Sequence, residues 1–198
     1  MNITTEPALA PPGAGLPSPE LFIGRLLLAF RCLTATRESL NARLHQERAA
    51  ILALVERCGP EACEDRVLIK RLPGLEDSSR YWSVWMTLDH LRIVHLAMSG
   101  IIRSLSQGEM PEGAASTAAV KPSPAATAAV MAEYEASCET LLATVAAAPN
   151  LKTPLRYAHP WFGPLNAASW HALAAGHLGI HRRQIEHICA ALRSRPGN

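Results

Sequence analysis

The chain has 198 residues, of which 48% are hydrophobic and 18% charged, with a formal net charge of +2. That length and apolar share suit one folded domain with a sizeable core and argue against a disordered chain. A near-neutral balance with dispersed arginines gives no basic face for nucleic acid.

Residues 1–17 are rich in Pro, Ala and Gly and predict a disordered tail. They lack the basic start of a signal peptide. The window Leu21 to Phe30 is interrupted by Arg25 and is too short to cross a bilayer, so a cytoplasmic protein is the default expectation.

Ser18-Pro19-Glu20 reads as a helix start, with Ser as N-cap, Pro at N1 and an acid in the first turn. Apolar positions then recur by threes and fours from Leu26 to Leu54, with no Pro or Gly between Gly24 and Gly59. One helix of that length would span about 55–60 Å, so a bend or an overhang is expected. Arg37 and Glu47 fall on its stripe, and charges there imply that the helix overhangs the core, kinks or meets a second subunit. Gly59-Pro60 ends it, and residues 59–78 form a long connection with a turn at Pro73-Gly74.

The second predicted helix covers about 79–107, capped by Asp77 or Ser78. It carries Tyr81, Trp82 and Trp85 and is apolar nearly all round, the mark of a helix buried on most sides. His90 shares a face with Met86 and Val94, and His95 points about 140° away from it. A flexible linker follows over 108–121. Ser123-Pro124 repeats the helix start, and the third helix runs to about Ala148. Residues 149–165 hold four prolines and one glycine. Asn166 then caps a fourth helix over about 167–194, with Leu165 and Trp170 as a hydrophobic staple. No alternating strand pattern and no repeat is present. The fold expected is an all-α four-helix bundle, one domain over 18–198 after the tail.

Five cysteines are scattered, and Cys58 with Cys63 forms only a CxxxxC pair, which reads as reduced thiols. Among eight histidines, His45 lies on the solvent side of its helix, and His95, His171 and His187 fall off their main stripes and read as surface or interface groups. His159 anchors its loop or lines a pocket mouth. His177 and His181 are i and i+4 in the middle of an apolar stripe, where polar groups are unfavourable unless satisfied. Metal coordination satisfies both, with His90 on another helix as a third ligand. The alternative is that each hydrogen-bonds a neighbour in the core. A haem between paired histidines fits less well, because ligands one turn apart cannot take opposite faces of one haem. No HExxH, GxSxG, Walker or dinucleotide glycine pattern occurs.

Several motifs together resemble one family. They are the Trp-rich helix with Asp89-His90-Leu91, the loop His159-Pro160-Trp161-Phe162-Gly163-Pro164-Leu165, and Trp170, His177-x-x-x-His181 and Arg183-Gln184. This combination is similar to the DinB-like superfamily, which includes metal-dependent hydrolases and thiol-dependent transferases. The resemblance implies an often dimeric four-helix bundle with a divalent ion, nickel or zinc, held by His90, His177 and His181. An open position on such an ion suits hydrolysis or thiol transfer on a small molecule. Asp89, His159 and Gln184 are the candidates for acid, base or orienting roles. A non-catalytic helical module for dimerisation or ligand sensing, with structural histidines, is the competing reading. A homodimer and no nucleic-acid or membrane partner are expected.

Overall fold

The computed structural model describes residues 6–194. Among them are five helices: α1 (Ser18–Thr34), α2 (Arg37–Cys58), α3 (Val84–Gln107), α4 (Val130–Ala147) and α5 (Ala167–Arg193). α3 packs against both α4 and α5, and α2 packs against α5. These four make the bundle, and α1 lies against α5 as an outer helix. The core is formed by side chains such as Ile51, Leu88, Ile102, Leu141, Leu178 and Ile185, all essentially buried. No described helix is long and apolar enough to cross a membrane.

The long first helix predicted from the stripe is two helices. Ala35 leaves the helical region with ψ 143°, and Thr36 opens α2. Its hydroxyl accepts from the Ser39 N–H at 3.2 Å, while the Ser39 hydroxyl accepts from the Thr36 N–H at 3.0 Å. This reciprocal cap satisfies two donors that a continuous helix would have used internally. Of the alternatives for the stripe charges, the break at Ala35–Thr36 is the kink, and both charges find partners within the chain. Arg37 donates to the Ala148 carbonyl at 3.0 Å, and Glu47 accepts from Arg182 at 2.6 Å. Gly179 lets α2 and α5 approach here, since a Cβ on it would sit 2.9 Å from a Glu47 carboxylate oxygen.

Two small antiparallel hairpins replace expected coil or helix. β1 (Val67–Leu68) pairs with β2 (Tyr81–Trp82), which takes those residues out of the predicted second helix. That helix, α3, is capped by Ser83, whose hydroxyl accepts from the Met86 N–H at 3.1 Å. β3 (Tyr157–His159) pairs with β4 (Gly163–Leu165), with His159 opposite Gly163. Gly163 has φ +71°, a conformation that favours glycine at the end of the Pro160-Trp161-Phe162 turn. The third helix also starts later than its Ser-Pro signal. The Ser123 N–H instead donates to Asp89 at 2.8 Å, holding that segment as a connection until Val130.

Residues 6–17 form neither helix nor strand, as their prolines require. They are nevertheless held in place, against the expectation of disorder. The Ala10 N–H donates to Asp77 at 2.8 Å, and the Gly13 and Gly15 N–H groups both donate to Glu76 at 3.0 Å. Residues 1–5 of the predicted tail and 195–198 at the other end lie outside the described residues.

His45 and His187 are exposed as expected. His95 and His171 are not surface groups, and each is only 1% exposed. α3 packs on two neighbours, so the face opposite His90 is a second buried stripe. There the His95 Nδ1 lies 3.2 Å from the Ser137 hydroxyl and 3.6 Å from the Cys138 Sγ on α4.

Candidate metal centre

His90 from α3 and His177 and His181 from α5 meet between the two helices. The His177 Nε2 is 3.2 Å from the His90 Nε2 and 3.1 Å from the His181 Nε2. One potential ligand atom from each of the three lies within 4.8 Å of the others. The helical repeat explains the pair on α5, since one turn brings two rings to the same face. The third ring comes from the α3–α5 packing.

Two rings have their tautomer set by neighbours. The His90 Nδ1 donates to the Val120 carbonyl at 2.6 Å. The His181 Nδ1 donates to the Gln184 side-chain oxygen at 2.6 Å, and the Gln184 amide donates to the Ser79 carbonyl at 2.7 Å. With the proton on Nδ1, a neutral imidazole presents a bare lone pair at Nε2. The Nε2 atoms of His90 and His181 therefore both point lone pairs at the position that His177 faces. The buried His177 Nδ1 has no hydrogen-bond partner among the described residues.

Burial keeps these rings neutral. It pushes His90 down to about 4, with the nearby Lys121 charge acting in the same direction and the Val120 hydrogen bond opposing it. His177 and His181 are held well below the ordinary imidazole value, first by burial and then by mutual repulsion among the rings. Neutral nitrogen donors with converging lone pairs are what a borderline divalent cation binds. The spacing fits as well. Nitrogens about 2.0–2.1 Å from one tetrahedral ion stand about 3.3 Å apart, close to what the rings show.

A sequence profile of the DinB superfamily matches residues 43–185, a span that holds all three histidines. The chain belongs to the DinB superfamily. Its fold also resembles the crystal structure of TT2238, described as a four-helix bundle protein. That similarity has 21% identity and a TM-score of 0.51, and covers 81% of this chain and 100% of the other. Among curated proteins, none matches this DinB-superfamily chain.

The remaining candidates separate by position. Gln184 is fully buried and orients His181, which suits the orienting role better than proton transfer. The Asp89 carboxylate is taken up by Arg92, at 2.7 and 3.0 Å, and by the Ser123 N–H. It is a clasp for the 108–129 connection and lies outside the histidine cluster. His159 stands on β3 with its ring 5.4 Å from Trp170 and 5.1 Å from Phe162. Its Nδ1 accepts from the Trp161 N–H at 3.0 Å, so its proton sits on Nε2, and burial pushes it down to about 4. It both anchors the hairpin turn and offers a neutral N–H donor.

Two contributors carried no readable signal. The Val120 carbonyl comes from a segment expected to be a flexible linker, and a backbone carbonyl leaves no mark in sequence. Trp82 stacks on His181 at 6.2 Å with an 11° interplanar angle and lies 5.2 Å from His90. It was legible only as one member of a tryptophan-rich segment. The Lys121 ammonium lies over the Trp82 ring, 5.5 Å from its centre.

Proposed function

We propose that His90, His177 and His181 hold a divalent ion, nickel or zinc, and that the protein is a metal-dependent enzyme acting on a small molecule. Hydrolysis and thiol transfer are the reaction classes in view. The observation carrying this reading is the convergence of three neutral imidazoles at mutual ligand spacing, two of them with their tautomer fixed by Val120 and Gln184. Such an ion supplies Lewis acidity to whatever occupies its remaining position.

The chain's own groups divide the other work. Val120 and Gln184 keep lone pairs aimed inward and so hold the ligand geometry. Trp82 shields one side from water. The His159 Nε2–H serves as a neutral donor to a substrate's polar atom at the hairpin side. His177 is the one residue of the three that is not fully buried.

Untagged protein should purify with about one divalent ion per chain, measured by elemental analysis. His90→Ala, His177→Ala and His181→Ala should each lose it. Absence of metal, together with no thermal shift on adding nickel or zinc, would sink the metal site. For the catalytic part, cobalt-loaded protein is titrated with a small thiol. A thiolate-to-cobalt charge-transfer band shows an open position; its absence together with no hydrolysis across an ester and amide panel favours a purely structural ion.

A further inference from the structure

α1 presents an unusual surface. None of its 17 residues is buried, yet it carries Phe22, Ile23, Leu26, Leu27, Phe30 and Leu33, each between 55% and 86% exposed. At about 100° per residue these six form one continuous arc of about 140°. The opposite side already has partners. Gly24 abuts the Phe162 ring, Glu20 pairs with Arg71, and Leu28 and Cys32 pack against the core. α1 is thus an apolar helix seated on α5 by one side only.

We propose that the outer face of α1 is an isologous interface with a second copy of this chain. Area supports that occupant. With large apolar side chains at about 150–200 Å² each, the arc exposes about 700 Å². The largest patch on an ordinary monomer is about 300–600 Å², and a stable interface buries about 800 Å² per partner. Charge supports it too. The arc contains no charged residue, so it offers nothing to an acidic or basic partner. Arg25 donates to the Trp161 carbonyl at 2.7 Å, away from the arc, so it does not supply the cationic fringe of a membrane-surface helix. A face that is apolar and uncharged is matched by its own copy, and a twofold axis near Leu26, midway along α1, aligns the two arcs. The hairpin that carries His159 touches the inner side of α1 through Trp161 and Phe162, so it helps to seat the helix with its apolar arc outward.

Sedimentation of the full chain at micromolar concentrations tests this. A dimer is expected with or without added zinc. Leu26→Glu and Leu26→Lys should each raise the dissociation constant at least 100-fold while keeping the helical circular dichroism of the parent. Mixing the two should restore a dimer, because a contact close to a twofold axis brings residue 26 against its own copy. Phe30→Glu serves if either variant misfolds. A monomer at every concentration overturns the proposal, as does a dimer untouched by these substitutions. A monomeric chain whose Leu26→Glu variant loses binding to phosphatidylcholine–phosphatidylglycerol vesicles also overturns it and assigns the face to a lipid surface.

Discussion

Gln184 shows how much of the candidate metal centre depends on a residue outside the histidine cluster. Its oxygen fixes the His181 tautomer, and its amide is tied to the Ser79 carbonyl. Gln184→Ala should weaken zinc or nickel affinity by about 10–100-fold, read by chelator competition, with the helical content unchanged. Unchanged affinity would mean that packing alone holds the ring. The buried histidines outside the cluster predict an acid response. Burial pushes both His95 and His171 down to about 4, against 6.5 for the free group. The unfolded chain therefore binds more protons between those values. The stability at stake is complete above pH 6.5 and is lost as pH falls toward 4, by up to about 1.4 kcal/mol per pH unit for each ring. Urea titrations at pH 7.0 and 5.0 should show the drop, and equal stability at both would contradict it.

The helices and hairpins are set by a few end residues. Asn166 accepts from the Ser169 N–H at 2.9 Å and starts α5 one turn before Trp170, so it fixes the phase in which His177 and His181 face α3. Asn166→Ala should cost about 1 kcal/mol and lower the melting temperature by about 2–4 °C, whereas Asn166→Asp should be close to neutral. Scanning calorimetry of the two variants distinguishes a cap from a generic surface position. This start was legible because a cap acts within four residues. The start of α3 was not. Tyr81 and Trp82 fit a helical pattern, and only the pairing of Trp82 with Val67 turns them into a strand. The break before Thr36 was legible in part: the bend was expected from length, but the Thr36–Ser39 cap competes with a stripe that runs unbroken through it.

Across the molecule, Glu76 ties three distant segments together. It is 3% exposed and accepts from Gly13, Gly15 and Ser78 and pairs with Lys121. Burial works to raise its carboxyl, yet the Lys121 ammonium and the Gly15 N–H outweigh that and hold it below the usual range. Glu76 contributes stability above the carboxylate range, and that contribution is lost as pH falls through it. Glu76→Ala leaves the half-buried Lys121 ammonium without its carboxylate and releases the 6–17 segment. It should destabilise the fold by about 3 kcal/mol or more and expose residues 6–17 and the 108–129 connection to limited proteolysis. Because Val120 adjoins Lys121, the same variant should also loosen metal binding. A digestion pattern identical to that of the parent would show that these segments are held by other contacts.

Local chemistry determined the elements that the sequence displays. Apolar periodicity marked the bundle helices, a single Asn marked the entry to α5, and i,i+4 spacing put His177 beside His181, since each signal acts within a turn or two of chain. His90 as a third candidate ligand was a guess across 87 residues, made from its place on another buried helix and implied again by the resemblance, and the α3–α5 packing brings the three rings together. Only the tertiary structure decided the rest: that Val120 and Gln184 fix the tautomers, that Asp89 is a clasp, that His95 is buried, and that the helix before Thr36 stands outside the bundle with its apolar face open. These depend on which surfaces meet, and hydrophobic burial is non-directional: a stripe in the sequence says that a face will be covered without saying what covers it.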